Sequence, residues 1–552
     1  MRANHLEKSE ETVAALVIKA ALKSTINCRD DFFCLVRKIA AAAGQPMPPI
    51  RDLLTAYRLL IANDASLINP RLESYLLKSR IRSLSGVAVV TVLTKPYPCP
   101  GRCIYCPTES NLPKSYLANE PAAMRALDCE FDPYRQVQRR LRALSANGHP
   151  ADKIELIVKG GTWSAYPQDY QQEFIKGCFD ACNNFATDKP QTTKDLTETQ
   201  LLNESAQYRI IGLTLETRPD HITPQEIFLL RQLGCTRIEL GVQTIDDHKL
   251  ELCRRGHTVA AVIRATRLLK MAGYKTDYHL MPQLPKATPE SDLHELRELF
   301  RCPDFRPDML KIYPCTVIAN TELSDWWRAG RYLPYDNQAL KEVIIAAKVD
   351  LPRYCRLSRI IRDIPSPSIQ AGNIVTSLRQ VIQREMKERG LRCNCLRCRE
   401  VGRHLELLKT AKPKFFTDTY EAAGGEEYFL SMEDENREAV FAFCRLRLPA
   451  SQAKHKPLNE TETELFKLLP EIKDCAFIRE LHTYGHLVPI DTDDPKAAQH
   501  RGYGRQLMAE AERIALQAGY KKMAVISGIG VRGYYHKLGY ELLGTYMIKQ
   551  LN

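Results

Sequence analysis

Gly86-Val-Ala-Val-Val-Thr-Val-Leu-Thr94-Lys-Pro-Tyr-Pro-Cys99-Pro-Gly-Arg-Cys103-Ile-Tyr-Cys106 is a β-branched run that breaks at two prolines and ends in a C-x3-C-x2-C triplet. The run predicts a strand, and the triplet falls on the loop leaving its C-terminal end. Three thiolates this close together suit an iron-sulfur cluster, which is held by cysteine sulfur. A structural zinc site is the alternative, although zinc normally takes four ligands and no fourth Cys or His follows closely. Downstream, strands are predicted at 86–94, 154–159, 209–216, 237–243, 275–281 and 309–318, with helices near 124–146, 167–184, 223–233, 258–272 and 291–300. Strands alternating with helices in this way predict an α/β chain built on a partial (β/α)6 barrel. Functional groups gather at the C-terminal ends of such strands, which gives weight to Lys159-Gly160-Gly161-Thr162 and to Glu216, Arg218 and Glu239. Salt bridging at the barrel mouth is the competing explanation for the charged ones.

At 552 residues the chain exceeds one core, so two or more domains are expected. The 44% apolar and 26% charged fractions are those of a globular protein. With no long apolar stretch and no signal-like N-terminal run, the expectation is a soluble, cytoplasmic protein without a membrane partner. Eighteen cysteines in such a chain serve metals, catalysis or cores rather than disulfides. Isolated ones such as Cys129, Cys178, Cys235 and Cys444 read as small buried apolar residues. The net charge of +12 is uneven: twelve Arg or Lys face four acids between Arg353 and Arg403. Further basic residues crowd Lys78, Arg80 and Arg82, and Arg135, Arg139, Arg140 and Arg142. Any one run can be a solvated helix face, but several around one catalytic core favour a polyanion, nucleic acid above all.

Residues 1–82 read as a helical, basic region, with amphipathic stretches at Glu11 to Leu22 and Asp52 to Ala62. Residues 83–390 hold the barrel. At 391–410 comes a linker with Cys393-Asn-Cys395-Leu-Arg-Cys398, a spacing suited to zinc, its fourth ligand open and His404 the nearest candidate. Residues 411–552 read as a second α/β domain: strands at 439–448 and 475–484, a helix from Gly502 to Ala518, a strand at 522–527, a short helix near 531–537 and a last strand. Gln499-His-Arg501-Gly502-Tyr503-Gly504-Arg505 opens the long helix, where bare amides and the helix dipole can hold a pyrophosphate.

Three resemblances follow. The cysteine triplet in its βα setting resembles the radical-SAM superfamily, in which three thiolates leave one iron of a [4Fe-4S] cluster open to chelate S-adenosylmethionine. The glycine pair Gly160-Gly161 and Glu216 would then lie toward that cofactor. The run from Gln499, with Val525-Ile-Ser-Gly528 and Tyr534-Tyr535-His-Lys-Leu-Gly539-Tyr540, resembles GNAT acetyltransferases. The whole chain from Ser83 onward resembles the catalytic subunit of Elongator in its stand-alone prokaryotic form, a tRNA uridine acetyltransferase. The resemblance is carried by Glu216-Thr-Arg-Pro-Asp220, Glu239-Leu-Gly-Val-Gln243, Arg255-Gly-His-Thr258, Lys311-Ile-Tyr-Pro314, Arg362-Asp-Ile-Pro365, Arg399-Glu-Val-Gly402 and Arg479-Glu-Leu-His482.

That resemblance implies SAM cleavage to a 5′-deoxyadenosyl radical, hydrogen abstraction from the acetyl methyl of acetyl-CoA, addition to C5 of the wobble uridine, and hydrolysis to 5-carboxymethyluridine. It implies Cys99, Cys103 and Cys106 as cluster ligands. It places Lys153, Glu480, Leu481, His482, Thr483, Arg501, Gly502, Tyr503, Gly504, Arg505 and Tyr535 against acetyl-CoA, with Lys153 and Tyr535 also among the catalytic residues. The partner would be the anticodon region of tRNA, a homodimer is left open, and Elongator-like accessory subunits are not expected of a prokaryotic form. A protein lysine acetyltransferase with a structural cluster is the alternative. Two departures stand out: Pro107-Thr-Glu-Ser where relatives carry Pro-Gly-Gly, and Lys159 where they carry an apolar residue.

Overall fold

The computed structural model describes residues 12–77, 86–185, 187, 189–449, 458–484 and 502–552. They form two compact units, one of N-terminal helices with residues 139–151, the other of residues 84–138 and from Asp152 onward. In the first unit, helices Val13–Lys23, Arg29–Ala42, Ile50–Asn63 and Pro70–Leu76 close around Val17, Ile18, Phe32, Val36, Leu53, Tyr57 and Leu76. Side-chain caps start three of them: Thr12, the Cys28–Asp31 capping box and Asn69 satisfy first-turn amides. The basic run Lys78, Arg80 and Arg82 lies outside the described residues.

The second unit begins with a seven-stranded parallel sheet: β1 (Ala88–Leu93), β2 (Lys153–Lys159), β3 (Arg209–Thr217), β4 (Arg237–Gln243), β5 (Lys275–Leu280), β6 (Met309–Ile312) and, past a short β7 (Val317–Ile318), β8 (Arg356–Arg359). The expected strand at 309–318 is therefore two, because Pro314 interrupts it and β7 turns away to pair with β9 (Ile369–Ala371). The strands alternate sharply. Ile154, Leu156, Val158, Leu213, Leu215, Ile238, Leu240, Tyr278 and Leu310 make up one buried face. Tyr278 on that face meets Thr266 of the helix Val259–Met271, which identifies it as the helix side. Register places Glu216, Glu239 and Asp277 side by side on the other face. Ion pairs from Lys159 on β2 and Lys311 on β6 reach Glu239 on β4, skipping the strands between, so this polar face is concave.

Strands β10 (Lys414–Ala422), β11 (Gly425–Glu433), β12 (Val440–Pro449), β13 (Ala476–Thr483), β14 (Lys522–Val525), β15 (Glu541–Leu543) and β16 (Tyr546–Gln550) build the second sheet, in the order β10-β11-β12-β13-β14-β16-β15. A two-residue turn joins β10 and β11, with Ala423 at φ 46° and Gly424 at φ 73°, the primed geometry that matches hairpin twist. Strand β13 pairs with β14 in parallel only over Ala476–Ile478, and beyond Ile478 the two diverge. No described helix is long and apolar enough to cross a membrane.

The second sheet docks on the N-terminal ends of the barrel strands. Arg479 bridges Asp308, just before β6, through Nη1 to Oδ2 at 2.9 Å and also through Nη2, and donates to the Tyr274 carbonyl at 2.7 Å. Asp308 also faces Lys270 and Arg445, each at 3.7 Å. Glu427 accepts from Arg447 at 2.9 Å and from Arg479 at 3.0 Å. All of these side chains are buried. Burial opposes ionisation of Asp308, yet Arg479 foremost, then Lys270 and Arg445, hold its carboxyl well below the usual range. Gly528 and Gly530 complete the seam, since a Cβ on Gly528 would collide with the Ile211 carbonyl and one on Gly530 would lie 2.5 Å from Arg209 Cβ. Breaking a buried pair leaves an uncompensated charge, so Asp308→Asn should lower unfolding stability by about 3–5 kcal/mol in denaturant titrations. A change below about 0.5 kcal/mol would contradict the assigned role of this seam.

Candidate active site

The loop after β1 carries Cys99, Cys103 and Cys106, all half-buried. The Gly101 amide donates to Cys99 Sγ at 3.4 Å, and Arg255 Nη1 donates to Cys103 Sγ at 3.6 Å. A Cβ on Gly101 would lie 2.7 Å from Arg218 Nη1 and 3.6 and 3.7 Å from the sulfurs of Cys99 and Cys103, so a side chain there would push into the space the sulfurs share. Arg218 is held by Asp220 in a two-pronged pair at 2.9 and 2.8 Å, while its Nη1 is buried with no hydrogen-bond partner among the described residues. Burial first, then Cys103, pushes the Cys106 thiol up to about 11. Cys106 is therefore a thiol until something cationic binds. Three sulfur donors faced by two guanidiniums, one with an unpartnered N–H, fit an anionic sulfur-ligated cluster.

Beside this loop, at the C-terminal ends of β2 to β6, lies an ionic cluster. Lys159 pairs with Glu216 at 2.7 Å and with Glu239; His279 contacts Glu239 at 3.0 Å and Glu216 at 3.4 Å; Lys311 pairs with Glu239. Burial disfavours the charged form of both glutamates, but Lys159 and His279 at Glu216, and Lys159 and Lys311 at Glu239, hold them well below the usual range. Gly160 adopts φ 146°, and a Cβ there would strike Thr94 Oγ1, so Gly160 is required by the backbone itself, whereas a Cβ on Gly161 would meet only the Tyr166 hydroxyl at 3.6 Å. Glu239 is the hub of this cluster, and Lys159 bridges it to Glu216. His279 and Asp277 were not singled out from sequence, and Lys311 entered only as the first residue of Lys311-Ile-Tyr-Pro314. Their signal was the polar residue at every second position of Lys275-Thr-Asp-Tyr-His279 and in Met309-Leu-Lys311.

Acetyl-CoA candidates gather at the other end. Glu480 on β13 accepts from Arg445 at 2.8 Å and faces Lys275, the first residue of β5, at 3.4 Å. Burial alone would raise its carboxyl, but Lys275 and then Arg445 pull it down to about 2. Leu481, His482 and Thr483 follow on the same strand, where His482 stacks near Phe443 with centroids 5.7 Å apart. Gly502, at φ 75°, caps the helix Tyr503–Gln517, whose first-turn amides at Tyr503, Gly504 and Arg505 precede the first helical acceptor. Gly504 packs under Tyr534, since a Cβ would lie 2.8 Å from its hydroxyl. Tyr535 is buried, and that burial pushes its hydroxyl upward. Arg501 lies outside the described residues. Lys153 opens β2, at the acetyl end, where burial lowers its ammonium. Strand β2 separates it from Gly160-Gly161 by about 20 Å, at about 3.3 Å per residue.

In the linker, the sulfurs of Cys393, Cys395 and Cys398 lie within 4.8 Å of one another. Hydrogen bonds from the Cys393 and Cys398 thiols hold Cys395 well below the usual thiol range. His404 Nε2 lies 2.9 Å from the Cys398 carbonyl oxygen, which it contacts in place of the sulfurs. Much of the basic charge of 353–403 is neutralised within the protein: Arg356, Arg362, Arg389, Arg399 and Arg403 pair with Glu400, Glu120, Glu342, Glu433 and Glu400. Arg384 and Lys387 stay exposed with no acidic partner among the described residues.

A parallel half-barrel bearing a three-cysteine loop, docked on a splayed acetyltransferase sheet, defines a radical-SAM and GNAT enzyme. The Radical SAM superfamily model matches residues 97–299, the Radical_SAM C-terminal domain model 307–388 and the Acetyltransferase (GNAT) family model 480–540. The tRNA uridine(34) acetyltransferase of Methanocaldococcus infernus is 46% identical over 86% of this chain and 87% of its own length. That of Dehalococcoides mccartyi is 42% identical, over 86% of this chain and all of its own. Elongator complex protein 3 of Saccharomyces cerevisiae is 38% identical over 85% and 84%. The solved archaeal Elp3 of Methanocaldococcus infernus, with an N-terminal deletion, superposes with a TM-score of 0.70 at 41% identity, over 85% of this chain and 100% of that one. The chain belongs to this family of tRNA uridine(34) acetyltransferases and Elongator complex protein 3.

The depressed carboxyl of Glu480 links stability to pH. Its folded value near 2 lies below the ordinary glutamate value near 4.3. The stabilisation is complete above the ordinary value and is lost as pH falls toward 2, roughly 3 kcal/mol in all. Acid titration of Glu480→Gln should show a flatter decline across that window than wild type; parallel curves would contradict the assignment.

Proposed function

We propose that this chain modifies the wobble uridine in the anticodon region of tRNA, as a cytoplasmic enzyme converting it to 5-carboxymethyluridine. The observation that carries the reading is one compact unit in which a guanidinium-faced three-cysteine loop at one end of the barrel strands and an acetyltransferase sheet docked on their other end are held together. A [4Fe-4S] cluster on Cys99, Cys103 and Cys106, with S-adenosylmethionine bound, would supply a 5′-deoxyadenosyl radical able to take hydrogen from the acetyl methyl of acetyl-CoA. The activated acetyl carbon would join C5 of the uridine, the C5 hydrogen would leave as a proton while the one unpaired electron passed back to the cluster, and thioester hydrolysis would leave the carboxymethyl group.

The chain's own residues divide the remaining work. Arg218 and Arg255 offset the negative charge of a thiolate-ligated site. Gly160 and Gly161 let bare backbone approach the cofactor, and Glu216, kept ionised by Lys159, offers an acceptor there. On the acetyl side, the edge of β13 from Glu480 to Thr483 lines the pantetheine, the amides of Tyr503, Gly504 and Arg505 hold the pyrophosphate, and Tyr535 and Lys153 flank the thioester end. Attack on C5 by a carbon radical needs no general acid, in keeping with a site built from ion pairs rather than a Ser-His-Asp arrangement.

A structural zinc on Cys393, Cys395 and Cys398 belongs to the same reading, because three cysteine sulfurs within 4.8 Å of one another suit that metal. Exposed Arg384 and Lys387 next to it are suited to phosphate.

Two experiments test these assignments. Cys103→Ser should abolish 5-carboxymethyluridine, read by nucleoside mass spectrometry, while tRNA affinity changes less than about threefold, since phosphate contacts and cluster ligation use different residues. Modified uridine from the variant would overturn the radical route. Metal analysis of that variant should still return about one zinc per chain, and its absence would remove the linker site.

A further inference from the structure

The concave face of a closed β/α barrel is normally filled by branched apolar side chains. Here that face is a ladder of ionisable groups, two residues apart along each strand. At the acetyl end, Glu480 meets Lys275 at 3.4 Å, and Arg237, paired by register with Lys275, bridges Glu155 at 2.6 Å. Two residues further along, Glu239 and Asp277 form the next layer, where Lys311 pairs with Glu239 and stands 3.9 Å from Asp277. Glu216 shares that layer by register, and beyond it His279, paired by register with Lys311, and Lys159 complete the ladder beside Gly160 at the cluster end.

Among the described residues no hydrogen bond or ion pair joins the Arg237 layer to the Asp277 layer, and within the former the Lys275–Glu480 and Arg237–Glu155 pairs are neighbours by register alone. Buried polar atoms with no hydrogen-bond partner among the described residues lie on both sides of this gap: Arg237 Nε and Thr214 Oγ1 on one, both oxygens of Asp277 and Oε1 of Glu239 on the other. Asp277 and Glu239 are fully buried. Buried polar groups without protein partners are normally satisfied by ordered water, and a polar cavity bordered by several such groups retains it. We propose that the concave face of this half-barrel is a hydrated proton path joining the acetyl-CoA end to the cluster end, with water seated between Thr214–Arg237 and Glu239–Asp277.

Titration of the lining suits that role. Burial pushes the Asp277 carboxyl up; Lys311 on β6 and Arg237 on β4 oppose this, Glu239 on β4 adds to it, and His279 on its own strand and Cys355 before β8 also face it. Burial pulls Lys311 down to about 8, with Lys159 adding and Glu239 opposing. Adjacent groups pushed in opposite directions can hold and pass a proton near neutrality. Each transfer moves a proton between oxygen or nitrogen atoms through water, so no oxidant or reductant is required. For its purpose the path rests on the proposed function, under which replacing hydrogen at C5 and hydrolysing the thioester both release protons.

Infrared difference spectroscopy on the full-length, cofactor-free protein tests the path independently of that function. Wild type minus Asp277→Asn should show the carbonyl stretch of a protonated carboxylic acid, shifting in D2O within seconds of mixing. Thr214→Val, which removes one unpartnered oxygen without touching charge, should slow that shift and guards against a misfolded Asp277→Asn. A missing band, or one unshifted for hours, would overturn the path. In reconstituted enzyme, Asp277→Asn should lower uridine modification about a hundredfold with acetyl-CoA affinity unchanged. Full modification by that variant would also overturn it. If wild type modified no uridine while the exchanging band remained, the functional reading would fail and the path would stand.

Discussion

The buried pairing of Asp308 with Arg479 decides where the two halves of the enzyme meet. Asp308 sits just before β6, and Arg479 lies where β12 and β13 slip register, so the bond fixes the acetyltransferase sheet to the N-terminal ends of the barrel strands. Lys270, Glu427, Arg445 and Arg447 surround it, and neither partner would tolerate burial alone. From that one seam it follows that the cysteine loop and the acetyl-CoA candidates occupy opposite ends of the same strands.

This separation gives the polar interior its meaning. Under the proposed path, water seated in this interior carries protons between the two ends, which an apolar core would insulate from each other. The alternation along β2 to β6 keeps valine, isoleucine and leucine toward the helices, where they stabilise the sheet, and turns lysine, glutamate, aspartate and histidine inward. Fold stability and site chemistry are thus assigned to opposite faces of each strand.

The cysteine loop, the first five strands and the long helix at Gly502 were legible because each has a local signature: a triplet spacing, an apolar alternation, a glycine-opened helix. Strand β8 was not, since Arg356-Leu-Ser-Arg359 turns polar groups inward and reads as part of a basic run. The hairpin of β10 and β11 escaped for lack of an Asn-Gly turn, Ala423 taking the left-handed position instead. Glu216 and Glu239 were visible singly; their union with Lys159, His279 and Lys311 depends on strand register, which no local spacing encodes. The basic stretch promised more surface charge than the fold leaves, because its acids lie far away in sequence, as Glu433 does from Arg399.

The most direct measurement is the fate of deuterium from trideuteroacetyl-CoA in reconstituted enzyme supplied with S-adenosylmethionine and tRNA. The account predicts 5′-deoxyadenosine carrying deuterium, formed together with labelled 5-carboxymethyluridine. Unlabelled 5′-deoxyadenosine, or thioester hydrolysis with none formed, would mean that the two ends of the barrel do not act on the same acetyl group.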